Sequence, residues 1–162
     1  MQSFMFNMVL SELEDACGRD NVSISTADKL SYGVDYFWIG RKWADAGRPL
    51  PTADFIVRPG SPEAVSKVLK IANYYKIPVQ TWGGGSGSQG AALPMAGGIL
   101  LDTKRMNKLI AVDEMSRTIT TETGMIFQTL EWYAGERGYS IQHIPSCLTC
   151  GTVGGALAHR GI

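Results

Sequence analysis

The spacing of apolar and polar residues along the chain predicts a mixed fold of short helices and strands. Leu10, Leu13 and Cys17 fall on one face of a helix predicted over residues 2–17, and Gly18 ends it. The other predicted elements are helices over residues 62–75 and 126–137, and strands over residues 54–58, 78–81, 98–102, 109–112 and 117–122. The last two strands are expected to pair as a hairpin.

Three neighbouring residues mark the start of the helix at residue 62. Ser61 suits the N-cap, Pro62 suits the first helical position, and Glu63 complements the helix dipole. The apolar residues of this helix that we expect to be buried are Val65, Val68, Leu69 and Ala72. The wider core is expected to contain Ile56, Val65, Leu69, Ile99, Leu101, Ile119 and Leu130.

Residues 21–48 show no clear periodicity, so we expect an irregular segment there. This segment holds an aromatic cluster formed by Tyr32, Tyr36, Phe37, Trp38 and Trp43. Aromatic clusters usually pack within a core. A contact with a redox partner or with a second subunit is the alternative.

The most distinctive motif is a glycine-rich run, W-G-G-G-S-G-S-Q-G, over residues 82–90. Adjacent glycines allow tight turns, in which successive backbone N–H groups converge on an anion. Ser86 and Ser88 add hydroxyl donors, so the run suits a phosphate or a pyrophosphate. The alternative is a flexible surface linker.

This run does not match the two commonest nucleotide-binding motifs. A Walker loop ends in Gly-Lys-Ser/Thr, and no lysine occurs between Lys76 and Lys104. A Rossmann turn leads directly into a helix, whereas residues 91–98 contain Pro94 and two glycines. We therefore expect a loop that joins strand to strand and binds phosphate without a helix dipole.

A second cluster of small residues, G-T-V-G-G, occupies residues 151–155 and follows P-S-C-L-T-C at residues 145–150. Small residues allow the backbone to approach a flat or charged group closely. They are equally suited to helix packing. Taken with the first glycine run, the cluster indicates one extended ligand held at two places.

These motifs resemble the FAD-binding domain of the vanillyl-alcohol oxidase/PCMH superfamily. Within it, the chain is most similar to the branch of D-lactate dehydrogenase, glycolate oxidase and alkylglycerone-phosphate synthase. Four pieces carry the resemblance: residues 57–65, residues 77–79 leading into 83–87, residues 99–102 with Met106 and Asn107, and residues 145–146 followed by 151–155. Their order and spacing extend over about two-thirds of the chain.

The resemblance implies an α+β fold, the PCMH-type FAD-binding domain, with its first α/β subdomain and an incomplete second one. It divides the chain into a lead-in over residues 1–52 and an FAD-binding domain over residues 53–162. It also implies FAD bound in extended form and a small-molecule substrate. The cofactor-binding residues carried over by the resemblance are Trp82, Gly83, Gly84, Gly85, Ser86, Gly87, Ser88, Pro145, Ser146, Gly151, Thr152, Gly154 and Gly155.

The chain departs from the family pattern at three points. Trp82 stands where many relatives have Arg, and Ser86 stands where a subset has a His that is bonded covalently to the flavin. We therefore expect noncovalent FAD. Family members continue with the rest of the flavin domain and a capping domain, and residues 156–162 show no closing cap. We expect a missing capping domain or partner subunit to complete the site.

Composition narrows the function class further. Hydrophobic residues make up 44% and charged residues 19% of the chain, as in ordinary globular proteins, and the net charge is zero. A neutral chain argues against nucleic acid as a partner. No apolar run is long enough to span a membrane, and residues 1–10 lack the basic start of a signal peptide. We expect a cytoplasmic protein.

The three cysteines, Cys17, Cys147 and Cys150, favour a reducing compartment. The C-x-x-C pair at 147 and 150 is open to three interpretations: a metal site, a redox dithiol or small residues that line the flavin. A zinc site needs two more ligands, and only His143 and His159 lie near in sequence. We predict no metal.

Three functions fit the sequence. The first is an FAD-dependent oxidoreductase acting on a 2-hydroxy acid such as glycolate or D-lactate. The second is a transferase like alkylglycerone-phosphate synthase, and the third is a non-catalytic half-domain. His143 lies beside the second cluster, where it either approaches the flavin or bonds locally. The sequence assigns no catalytic residue.

Overall fold

The computed structural model describes residues 3–161, so Gln2, which the pattern places in the first helix, lies outside them. The helices are α1 Ser3–Cys17, α2 Thr26–Ser31, α3 Trp38–Asp45, α4 Pro62–Tyr75, α5 Phe127–Gly135 and α6 Val153–His159. The strands are β1 Val22–Ser23, β2 Phe55–Val57, β3 Val79–Trp82, β4 Ile99–Asp102, β5 Leu109–Asp113 and β6 Thr118–Thr121. A single 3₁₀ turn at Arg19–Asn21 joins α1 to β1. These elements confirm the α+β class.

The larger sheet has four strands in the order β1-β2-β4-β3. β2, β4 and β3 are parallel, whereas β1 is antiparallel to β2. Because the parallel strands end at the same edge, Arg58, Gly83 and Thr103 all leave the sheet there. In open α/β sheets this carboxyl edge is where ligands bind.

The core lies on both faces of this sheet. On one face, α1 and α4 pack over Phe55, Val57, Ile99 and Leu101. On the other face, Ile56 and Leu100 pack with Tyr32, Ala53 and Trp82. All three residues of β2 are therefore buried, as is usual for a strand that is covered on both faces.

The helix predicted at residue 62 is confirmed over its full length. The Ser61 hydroxyl accepts a hydrogen bond from the Ala64 N–H at 3.2 Å, which caps the helix, and Lys76 ends it in the left-handed conformation. Val68 and Ala72 are buried as predicted. The prediction for Leu69 is wrong, because this side chain is 47% exposed on the outer face of the helix.

The lead-in is more ordered than its sequence indicates. Residues 21–48, predicted to be irregular, contain β1, α2 and α3. Ser25 caps α2 by accepting from the Asp28 N–H at 3.1 Å. The two residues of β1 are too few to show alternation, and pairing with β2 determines their conformation.

The predicted hairpin of β5 and β6 is confirmed as an antiparallel pair with a bulge between Leu109 and Ala111. Ile119, predicted as core, is only partly buried there.

At the other end of the chain, α6 has a closing cap that the sequence did not indicate. Arg160 adopts the left-handed conformation, and the Gly161 N–H donates to the Ala156 carbonyl at 2.8 Å. Among residues 3–161, no helix has the length and apolarity needed to cross a membrane.

Candidate functional site

The fold brings the two glycine-rich segments into direct contact. Gly84 lies against the Cys150 carbonyl and the Gly151 Cα, and a Cβ at position 84 would overlap that backbone. The neighbouring Gly83 lies against the Thr152 hydroxyl in the same way. The two segments, 67 residues apart in sequence at Gly84 and Gly151, thus form one surface at the carboxyl edge of the sheet.

Backbone donors in the first segment are free. None of the eight N–H groups of residues 83–90 donates a hydrogen bond to any acceptor within residues 3–161. The hydroxyls of Ser86 and Ser88 also have no partner in that part of the chain. Residues 83–87 and Gly90 are partly buried, where backbone donors are normally paired, so this run of free donors suits an acceptor from outside the chain.

The expected connectivity of this loop is confirmed. β3 ends at Trp82, β4 begins at Ile99, and no helix lies between them. An anion bound by this loop therefore contacts backbone amides and hydroxyls, and no helix N-terminus of the loop contributes to its binding. This arrangement differs from the Rossmann turn, in which the first turn of a helix supplies the donors.

The second segment is built differently, because its N–H groups are already bonded. At the start of α6, Val153 donates to the Met125 carbonyl and Gly154 donates to the Thr123 carbonyl, both at 2.8 Å. Gly155 donates to the Thr152 hydroxyl at 3.3 Å. Thr152 itself is 1% exposed. This segment therefore forms a close-packed wall of the site. The backbone N–H groups at the start of α6 are not available to bind a ligand.

Pro145 and Ser146 lie at the start of the turn that leads into this wall. Pro145 is buried and its carbonyl accepts from the Leu148 N–H at 3.0 Å, whereas Ser146 is exposed. Cys147 and Cys150 close the next turn through a 3.0 Å hydrogen bond from the Cys150 N–H to the Cys147 carbonyl. All three cysteines are free thiols. Within residues 3–161 no group of His, Cys, Asp and Glu side chains is arranged to hold a metal ion.

Trp82 lies underneath the first glycine run. Its side chain is buried, with 6% exposure, and its ring supports Gly85, which has a φ of 63°. A Cβ at Gly85 would overlap that ring, so this position requires glycine for its conformation and for space. Trp82 thus occupies a supporting position, and its direct contact with a cofactor stays a prediction.

A buried hydrogen bond lies next to Trp82 at the same sheet edge. The Tyr32 hydroxyl donates to Asp102 Oδ2 at 2.5 Å, and Asp102 is 3% exposed. Burial and the Asp102 carboxylate raise the pKa of Tyr32 to about 12, so the phenol remains a neutral donor. Lys104 Nζ lies 3.4 Å from the same carboxylate oxygen and balances its charge.

Sequence reasoning missed the contacts that the lead-in makes with the loop. The Tyr36 N–H donates to the Gly85 carbonyl at 2.9 Å, and the Phe37 ring lies against Gly90. The aromatic cluster is evident in the sequence, but the sequence does not show that it contacts the glycine-rich loop. His143, the candidate histidine, hydrogen-bonds to the backbone just after α6, with Nε2 at 2.8 Å from the Gly161 carbonyl oxygen.

A model of a known family, described as an FAD binding domain, matches residues 53–162. Among curated proteins, the chain is 39% identical to a D-lactate dehydrogenase of Archaeoglobus fulgidus over 103 residues, which are 64% of this chain and 23% of that protein. It is 26% identical to glycolate oxidase subunit GlcD of Bacillus subtilis over 147 residues, which are 91% of this chain and 29% of that protein. The chain therefore spans less than a third of the length of these relatives.

Solved structures agree with this assignment. An alkyldihydroxyacetonephosphate synthase superposes with a TM-score of 0.87 at 26% identity, covering 94% of this chain and 29% of that one. p-Cresol methylhydroxylase superposes with a TM-score of 0.71 at 25% identity, covering 85% of this chain and 26% of that one. The free donors of residues 83–90 also fit the pyrophosphate of FAD, whose oxygens only accept. The chain belongs to the FAD-binding domain family, with the PCMH-type fold, and its cofactor is FAD.

Proposed function

We propose that residues 83–88 bind the pyrophosphate of FAD in the flavin-binding portion of an oxidoreductase that oxidises a 2-hydroxy acid. The observation that carries the proposal is the run of eight free backbone N–H groups at residues 83–90. Water satisfies such donors when they are exposed, but six of these eight residues, 83–87 and Gly90, are partly buried. A ligand with several acceptor oxygens matches them better.

The chain's own residues have separable tasks in this proposal. Gly83, Gly84 and Gly85 give the ligand access to backbone donors, and Ser86 and Ser88 add hydroxyls. Gly151, Thr152, Gly154 and Gly155 form the wall that closes the site from the other side, next to Pro145 and Ser146. When bound, FAD supplies the hydride-accepting ring, and the protein binds it, orients it and excludes water. The flavin is held noncovalently, because a serine at position 86 cannot make the bond that histidine makes.

The substrate class rests on relatives. Proteins similar to this chain are a D-lactate dehydrogenase and a glycolate oxidase subunit, and both names refer to 2-hydroxy acids. The second candidate, a transferase like alkyldihydroxyacetonephosphate synthase, is favoured by the superposition at a TM-score of 0.87. Anaerobic addition of glycolate or D-lactate to the full-length protein separates the two, because only the oxidoreductase bleaches its flavin.

The site needs a further part of the protein or another subunit to cover the substrate. The chain corresponds to only 23% and 29% of the two relatives, and we assign substrate binding to a capping domain or partner subunit. The three free thiols support a cytoplasmic location.

The pyrophosphate assignment is tested with Gly84→Val in the full-length protein. The valine side chain would overlap the Cys150 carbonyl and part the two segments, so FAD affinity should fall at least tenfold, about 1.4 kcal/mol. Titration with FAD, followed by flavin fluorescence, measures this.

Gly135→Val is the matched control, because Gly135 is the last residue of α5 and a Cβ there meets no atom within 4 Å. Its FAD affinity should equal that of the wild type. Unchanged affinity in Gly84→Val would overturn the pyrophosphate assignment.

A further inference from the structure

The aromatic arm, residues 32–38 of the lead-in, crosses the glycine loop and contacts it at two places. The Tyr36 N–H donates to the Gly85 carbonyl at 2.9 Å. The Phe37 ring lies so close to Gly90 that a Cβ there would meet its Cδ1 at 2.7 Å. The arm lies outside residues 53–162, which the family model matches.

Tyr32 connects the arm to the floor of the loop. Its ring meets the Trp82 ring edge-on, with the centroids 5.1 Å apart and the planes at 86°. The Trp82 ring in turn lies against Gly85. The 2.5 Å hydrogen bond from the Tyr32 hydroxyl to Asp102 prevents the ring from moving away from this position.

The same arm therefore holds Gly85 at two points. Tyr32 acts through Trp82, and the Tyr36 backbone acts through its hydrogen bond to the Gly85 carbonyl. A loop with five glycines among residues 82–90 has many conformations, and ordering it when a ligand binds subtracts from affinity. Contacts that fix the loop beforehand remove that cost.

We propose that the aromatic arm is part of the FAD site, and that Tyr32 is a positioning residue that holds residues 83–90 open for the pyrophosphate. This inference rests on the proposed function, since it assigns Tyr32 a role in the binding of the same cofactor. Tyr32 does not touch the ligand in this account, and it acts through Trp82 and Gly85.

The test is Tyr32→Phe in the full-length protein, with Tyr74→Phe, which lies in α4 outside the aromatic arm, as the matched control. Tyr32→Phe removes one buried hydroxyl and keeps the ring, and Asp102 keeps its ion pair with Lys104. FAD affinity should fall about tenfold, the scale of one hydrogen bond to a charged group. Tyr74→Phe removes a hydroxyl from a ring that is 78% exposed and does not belong to the arm, so its affinity should stay within twofold of the wild type.

A positioning role and a merely structural one differ in what they change. A structural role lowers the melting temperature of the apoprotein and leaves the Kd for FAD unchanged well below that temperature. A positioning role raises the Kd there. In addition, Tyr32→Phe and Asp102→Ala should be non-additive in the Kd, because each substitution alone removes the hydrogen bond between these two side chains.

The outcomes separate this inference from the proposed function. If Gly84→Val weakens FAD binding and Tyr32→Phe stays within twofold of the wild type, the positioning role is wrong and the pyrophosphate loop stands. If both variants bind FAD normally, the proposed function is wrong as well. Should Tyr32→Phe fail to fold, Phe37→Leu tests the arm at Gly90, with about threefold weaker binding expected and unchanged binding contradicting the arm's role.

Discussion

The two glycine-rich segments of this protein have similar compositions and opposite hydrogen-bonding states. In residues 83–90 every backbone N–H is free of partners within the described chain. In residues 153–155 each N–H is bonded, to Met125, Thr123 and Thr152 in turn. Glycine permits close packing in both segments, at Gly84 against Cys150 and at Gly154 against Thr123, and only in the first segment does the backbone also keep free donors. Composition alone does not distinguish them.

The comparison predicts that glycine substitutions in the second segment act mainly on stability. The largest effect is expected for Gly154→Val, because a Cβ there would overlap the Thr123 side chain and lie 3.0 Å from its carbonyl oxygen. We expect a loss of about 3 kcal/mol in the free energy of unfolding, the upper part of the overpacking range. Urea denaturation measures it, with Gly135→Val as the control that should change little. A fully stable Gly154→Val would show that the second segment is not close-packed.

In the first segment, substitutions that preserve space should act on binding alone. The double variant Ser86→Ala, Ser88→Ala removes two hydroxyls that have no partner within residues 3–161. Its melting temperature without FAD should match the wild type, while its FAD affinity should fall about fivefold to tenfold. Isothermal titration with FAD checks this. A lower melting temperature with unchanged affinity would reverse the distinction between the segments.

The elements with strong periodicity could be read from the sequence, and those that depend on distant contacts could not. The helix at residues 62–75 carries its own cap and apolar face, and it was predicted correctly. β1 exists because Val22 and Ser23 pair with β2, and no local pattern of two residues reveals that. The burial of Leu69 was predicted wrongly, because the buried side of its helix carries Val68 and Ala72 and Leu69 lies outside it.

The candidate site also has some features that could be predicted from the sequence and others that could not. Glycines and serines in one run indicate donors for an anion, and the free N–H groups of residues 83–90 agree with that interpretation. The bonded N–H groups of α6 and the contact of the Tyr36 backbone with Gly85 depend on chain segments far away in sequence. Residue types cannot reveal such backbone partners.

The last prediction, with the smallest expected effect, is that FAD is not attached covalently to the first segment. Because Ser86 lacks an imidazole, acid precipitation of the FAD-loaded protein should leave all the yellow colour in the supernatant. Absorbance of the pellet after redissolving is the measurement. Flavin that remains on a peptide spanning residues 82–90 would show that the loop contacts the ring, and would contradict its assignment to the pyrophosphate.

The most direct test of the central claim is an NMR measurement on the full-length protein, labelled with ¹⁵N and titrated with FAD. We predict large downfield shifts of the amide protons of residues 83–88, with scalar coupling between their nitrogens and the ³¹P nuclei of FAD across the hydrogen bonds. The amides of residues 153–155, already bonded within the protein, should show no such coupling. Saturation with FAD that leaves the amides of residues 83–88 uncoupled and unshifted would contradict the account.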